Sequence, residues 1–290
     1  ALSLTGAVDE RALAVSFVAR VEDVEHPEPP APWPASVLER ITPEASLAVM
    51  EHESPAWKRF TSGGALLDSS KQIAASFTGR EFIGRKGALV VADGRDAARV
   101  TIALEATDAE QLAPHADRFM SGFLDGLGYA GETGGARRVD FGGIHPRAIR
   151  TVGPPGDGAE NPILGGRLDF AWCIRHGAPL DEGHAWWITG TDPRGVRGFA
   201  EKLSAGADPG AAHDEVGPWV LLARAEPAEL VRLLRPVMAI LRGSQPDAVR
   251  MIESLSRVRE AELQISQSGD GELMGDAEIR FAPKGGEEGR

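Results

Sequence analysis

The chain has 290 residues, 42% hydrophobic and 26% charged, so it can bury one large core or two ordinary ones and lacks the composition of a disordered protein. Acidic residues outnumber basic ones 43 to 31, for a net charge of −12, and the basic residues are scattered singly or in pairs such as Arg137-Arg138. That distribution argues against nucleic acid and anionic membrane surfaces, which require clustered Lys and Arg, while the lone Cys173 rules out an internal disulfide or a multi-cysteine metal site.

The opening reads as two alternating strands, Leu2/Leu4 and Leu13/Val15/Phe17, joined through Asp9-Glu10-Arg11. Ala1 stands inside a strand pattern with no initiator methionine and no signal peptide, which reads as a processed chain or one lacking upstream sequence. Prolines 27, 29, 30, 32 and 34 then forbid helix or central strand and predict an extended connector.

Beyond it one arrangement recurs: an apolar strand, a capping or acidic residue, often a proline, then an amphipathic helix. SLAVMEHESPAWKRF, AWWITGTDPRGVRGFAEKL and WVLLARAEPAELVRLLRPV all follow it. Ser54-Pro55 and Asp192-Pro193 pair an N-cap side chain with a proline at the first helical position; Glu226-Pro227 is a weaker version. In VTIALEATDAEQLAPHADRFMSGFL, Thr107 and Glu110 have capping-box spacing, which predicts Pro114 in the first helical turn. Further strands are expected over 80–92, 137–141, 148–152 and 167–174, and GPPGDGAENPILGG (153–166) reads as a joint, its glycines and prolines favouring turns over regular structure. QPDAVRMIESLSRV carries Val249, Ile252, Leu255 and Val258 at helical spacing. The chain closes on a second hairpin, Leu263/Ile265, a Gly269-Asp270-Gly271 turn, then Ile279 and Phe281.

Strands followed directly by strands outnumber clean strand-helix alternation. The expected fold is therefore α+β, with mostly antiparallel sheets and helices packed on one side. The expected units are an N-terminal hairpin (1–26) ending a preceding unit or forming a swapped strand pair, a connector (27–40), α+β modules at 41–152 and 167–282, and a disordered tail (283–290).

The stretch ITPEASLAVMEHESPAWKRF, followed in order by GALVVA, RVTIALEATDAEQLAPHADRF, HAWWITGTDPRGVRGFAEKL and PWVLLARAEPAELVRLL, resembles a group of uncharacterised bacterial cell-envelope proteins with an Ile/Leu-x-Pro-x-Asp/Glu start and duplicated α+β halves. The resemblance spans residues 41–282. It implies a protein exported to the periplasm or cell surface, and it brings no catalytic residues.

The residues themselves offer little chemistry. Among the seven histidines no HxxxH or HxH pair predicts a metal site, and His52, flanked by Glu51 and Glu53, reads as part of a solvated turn. Cys173 and His176 fall on opposite faces of a straight strand, so Cys173 reads as a buried structural thiol. No GxSxG, SxxK or P-loop pattern is present. The aromatic stretch GHAWWITGTDP stands out: His184, Trp186 and Trp187, with Trp219 in another strand, are the candidate contacts for a ligand or partner, against the alternative that helices cover both adjacent tryptophans.

No cofactor, metal or catalytic residue is expected. The favoured function is a non-enzymatic envelope component acting in binding or assembly, with a protein partner or a second copy as its counterpart. One alternative is a hydrolase whose site is assembled from distant residues such as His145, Cys173, His176 and His184; another is a carrier of an apolar small ligand.

Overall fold

The computed structural model describes residues 2–9, 11–22, 24, 29–30, 33–34, 44–61, 79–93, 98–124, 137–140, 148–152, 170–176, 185–204, 216–233, 235, 238, 242 and 246–282. In chain order the strands are β1 (Leu2–Val8), β2 (Ala12–Arg20), β3 (Trp33–Pro34), β4 (Ala45–His52), β5 (Ile83–Ala92), β6 (Arg99–Ala106), β7 (Arg137–Asp140), β8 (Ala148–Val152), β9 (Phe170–His176), β10 (Ala185–Gly190), β11 (Val216–Gly217), β12 (Trp219–Ala225), β13 (Val258–Gln267) and β14 (Glu272–Phe281). The helices are α1 (Pro55–Thr61), α2 (Ala109–Leu124), α3 (Pro193–Ser204), α4 (Pro227–Leu233) and α5 (Pro246–Ser254).

All strands except β3 and β11 join one 12-stranded sheet in the order β1-β2-β14-β13-β12-β4-β5-β6-β10-β9-β8-β7. Every neighbouring pair in it is antiparallel. The α+β reading with mostly antiparallel sheet therefore holds. The opening hairpin joins this sheet through β2, which pairs along its length with β14, from Arg20 opposite Glu272 to Ala12 opposite Arg280. Trp33-Pro34 in the proline-rich connector is extended and pairs with Val216-Gly217. The stretches 153–166 and 283–290 lie outside the described residues.

Helices cover both faces of the sheet, a correction to the one-sided packing expected. The cause is plain in β10, whose adjacent tryptophans point to opposite faces and each demand a cover. Trp186 joins Ile188, Ala103 and Met50 beneath Val196, Phe199 and Ala200 of α3. Trp187 joins Leu104, Ile83 and Trp172 beneath Leu112, Ala116 and Met120 of α2. Farther along the α2 face, Ala56 and Trp57 of α1 pack on Ala19, Ile265 and Leu273.

The local signals mostly hold. Ser54 caps α1, its Oγ accepting from the Trp57 N–H at 3.1 Å, and Asp192 accepts from the Arg194 N–H at 2.8 Å at the start of α3. In α2 the cap is Asp108 rather than Thr107, since its carboxylate accepts from the N–H groups of Glu110 and Gln111 at 3.1 and 3.0 Å. Contrary to the expected first-turn placement, Pro114 lies inside α2, where it leaves the Glu110 carbonyl without its intrahelical donor. The closing hairpin turns through Gly271, whose φ of 82° suits a residue without Cβ.

Candidate functional site

Among the described residues three places could carry function: a buried polar row, a cleft beside α3, and the edge at β1. The row crosses the α3 face near one end of the sheet. His52 of β4 stands opposite Lys86 of β5, Glu105 of β6 opposite Trp186 of β10, and Trp186 opposite Arg175 of β9. All five residues are buried, including His52, which is no solvated turn residue but the last position of a strand. Nothing in single-residue pattern announced this row, because its members come from five separate strands that only the sheet aligns.

Charge burial of this kind requires partners, and the geometry shows a structural use for Glu105. One carboxylate oxygen, Oε2, accepts from the backbone N–H groups of Arg85 at 2.6 Å and Lys86 at 3.2 Å. Those amides sit where the β5–β6 register shifts between Ile83 and Gly87, so the side chain satisfies donors that the irregular ladder leaves over. Gly84 makes room for it, since a Cβ there would lie 2.0 Å from that oxygen.

On the other face Glu51 works similarly, accepting from Trp57 Nε1 at 2.5 Å, while Ser54 Oγ donates to Gln267 Oε1. These bonds tie β4, α1 and β13 together. Glu105, Glu51 and Ser54 thus serve as fasteners of the sheet rather than as reagents directed at a cavity.

A cleft of about 130 Å³ opens between α3 and the sheet, with Val90, Ala92 and Phe199 as floor and Arg99, Arg194 and Lys202 at the rim. Arg99 is already engaged, its Nε donating to the Asp93 carbonyl at 2.6 Å and lying 3.7 Å from Asp192. Pockets for small organic ligands usually hold about 300–1,000 Å³, so this cleft is too small for an apolar cargo.

The third place is an edge. β1 pairs with β2 on one side and with nothing described on the other, and every one of its residues is exposed. Leu2, Leu4 and Val8 point to the α2 face at 61%, 63% and 76% exposure. The segment LSLTGAV contains no charged residue and no proline. Exposed edges in native sheets are commonly guarded by one or the other, which keeps them from pairing with foreign strands.

Of the residues singled out from sequence, Trp186, Trp187 and Trp219 are buried at 1%, 3% and 8% exposure, so none presents a face to solvent. Trp187 packs edge-on against Phe119 of α2 at 5.7 Å between ring centroids. Burial follows from the size of the ring and the helix laid over each face. Cys173 is a buried thiol outside any disulfide, in the apolar cluster under α3, as expected. His145 and His184 lie outside the described residues, as does the side chain of His176.

Among the described residues no group of three or more His, Cys, Asp and Glu could hold a metal ion, and no helix is long and apolar enough to cross a membrane. Comparison with protein-family models, with curated proteins and with solved structures gives no match.

Proposed function

We propose that the chain is a non-enzymatic component of the bacterial cell envelope that acts by binding or assembly, and that the open β1 edge is its working surface. The observation that carries this reading is the seven-residue strand whose residues are all exposed, with three large apolar side chains and no guarding charge. Placement in the periplasm or at the cell surface rests on the resemblance of residues 41–282 to envelope proteins. Hydrolysis is the weaker reading, because Cys173 lies in an apolar cluster and Glu105 is committed to backbone amides.

The chain is also read as two related halves. Support comes from the pairing pattern, which repeats outward from Met50 and Leu222, opposite each other at the β4–β12 contact. Starting one residue before each, one walk runs Val49, Leu89, Ile102, Thr189, Trp172. The other runs Leu221, Ile265, Gly275, Phe17, Leu4. The strands crossed are β4, β5, β6, β10, β9 in one direction and β12, β13, β14, β2, β1 in the other, so the order of these ten strands maps onto its own reverse.

Four residues beyond the two central ones stand Ser54-Pro55 and Glu226-Pro227, the equivalent helix starts. In this reading the opening hairpin corresponds to β9–β10, and the closing hairpin to β5–β6. The halves then extend from β1 to α2 and from β9 to β14, rather than over 41–152 and 167–282. In chain order the proline-rich connector corresponds to α3, and on the α3 face of β12, β13 and β14 Arg224, Glu260, Glu278 and Arg280 form a solvated ion-pair ladder.

A photo-crosslinking residue placed at Thr5, in the cells that make the protein, tests the assembly function. An adduct is expected from position 5 and not from exposed position 197 on α3. Absence of any adduct from position 5 would remove the basis for the proposal.

A further inference from the structure

We infer that the partner of the β1 edge is a second copy of this chain, joined β1 to β1 in antiparallel across a twofold axis. The inference rests on the reading of that edge as the working surface and goes further by naming its occupant.

The two halves show what the edge lacks. Leu4 corresponds to Trp172 and Leu2 to Phe170 by the walk along the sheet. Trp172 and Phe170 are each only 6% exposed. At the edge, the antiparallel strand β8 covers them, with Arg150 opposite Trp172 and Val152 opposite Phe170. On the face, α2 covers them: Trp172 Nε1 donates to Asp117 at 2.9 Å and Phe170 meets Phe123 edge-on at 6.1 Å. An antiparallel strand is thus the cover that the fold itself supplies to this position in its other half.

The segment LSLTGAV is complementary to itself in that arrangement. With Thr5 opposite Thr5 of the second copy, Leu2 stands opposite Val8 and Leu4 opposite Gly6 on the α2 face. The glycine leaves room for the leucine, and Ser3 faces Ala7 on the other side. Two copies of a chain with net charge −12 repel at most surfaces, but β1 has no charged side chain. It is therefore a place where like can meet like without a charge penalty. Because the axis stands perpendicular to the sheet, both copies place Leu2, Leu4 and Val8 on the same face. Phe60 of α1, 43% exposed and stacked on Phe17 at 6.2 Å, borders that strip on each side.

Sedimentation velocity of the full chain over a concentration series tests the inference. The unmodified protein is expected to dimerise. Leu4→Lys on one face and Ser3→Lys on the other should each raise the dissociation constant at least about tenfold, with circular dichroism unchanged because both positions are exposed. Thr5→Cys should form a symmetric disulfide under mild oxidation, since opposed strand residues lie about 4.5–5.5 Å apart between Cα atoms, within disulfide reach. A protein that stays monomeric at about 100 µM overturns the inference, as does a dimer indifferent to both lysines and lacking the disulfide. A monomer that nevertheless gives a heterologous adduct from position 5 in cells would overturn the second copy alone and leave the assembly function standing.

Discussion

Gly275 and Phe17 face each other across β14 and β2, and the pair works only because one member has no side chain. A Cβ on Gly275 would lie 2.2 Å from the Phe17 ring, far inside contact distance, and the ring is held by its stack on Phe60. Gly275→Ala is expected to cost about 1–3 kcal/mol through displacement of that ring. The double variant Gly275→Ala with Phe17→Val should regain most of the loss. Thermal denaturation of the two variants against the parent measures both effects, and an unaffected single variant would mean that the ring has room to move. At this scale sequence reading reached the caps at Ser54 and Asp192, because a capping bond spans only two or three residues. It missed the buried roles of His52, Lys86 and Glu105, whose neighbours come from other strands.

Among the elements, α2 depends most visibly on charge. The Asp108 carboxyl is held below its ordinary range, first by the Gln111 backbone N–H, next by the Gln111 side chain, with a smaller contribution from the Glu110 N–H. A carboxyl with a depressed folded-state pKa contributes stability that is complete above the unfolded value of about 3.9 and disappears as pH falls through the lower, folded value. Comparison of the parent with Asp108→Ala by thermal denaturation should show the widest gap at neutral pH, with narrowing only below about pH 4. A gap that narrows between pH 7 and 5 would assign the effect to another group. Thr107 and Asp108 are both good capping residues, and sequence alone favoured the former through Glu110. The structure uses Asp108, whose side chain reaches two successive amides and the Gln111 amide group as well.

Over the whole molecule, the strands were legible and their neighbours were not. Period-two alternation and the turns at Asp9 and Gly271 mark each hairpin locally. The β4–β12 contact joins residues such as Val49 and Ala223, and no local pattern carries that information. Two-faced covering was hidden for a related reason: adjacent Trp186 and Trp187 put one ring on each face without saying what covers it. The place of Cys173 has a practical consequence. Its sulfur lies on the α3 side only, beneath Val196, Phe199 and Ala200, so its modification by a thiol reagent times the lifting of α3 from the sheet. Phe199→Ala should hasten that reaction by at least about tenfold, since it removes a large packed side chain from the lid. Phe119→Ala, on the opposite surface, should leave the rate nearly unchanged. Equal acceleration by both would mean that the two layers loosen together. Otherwise one native atom serves as a clock for one side of the protein, with no label to introduce.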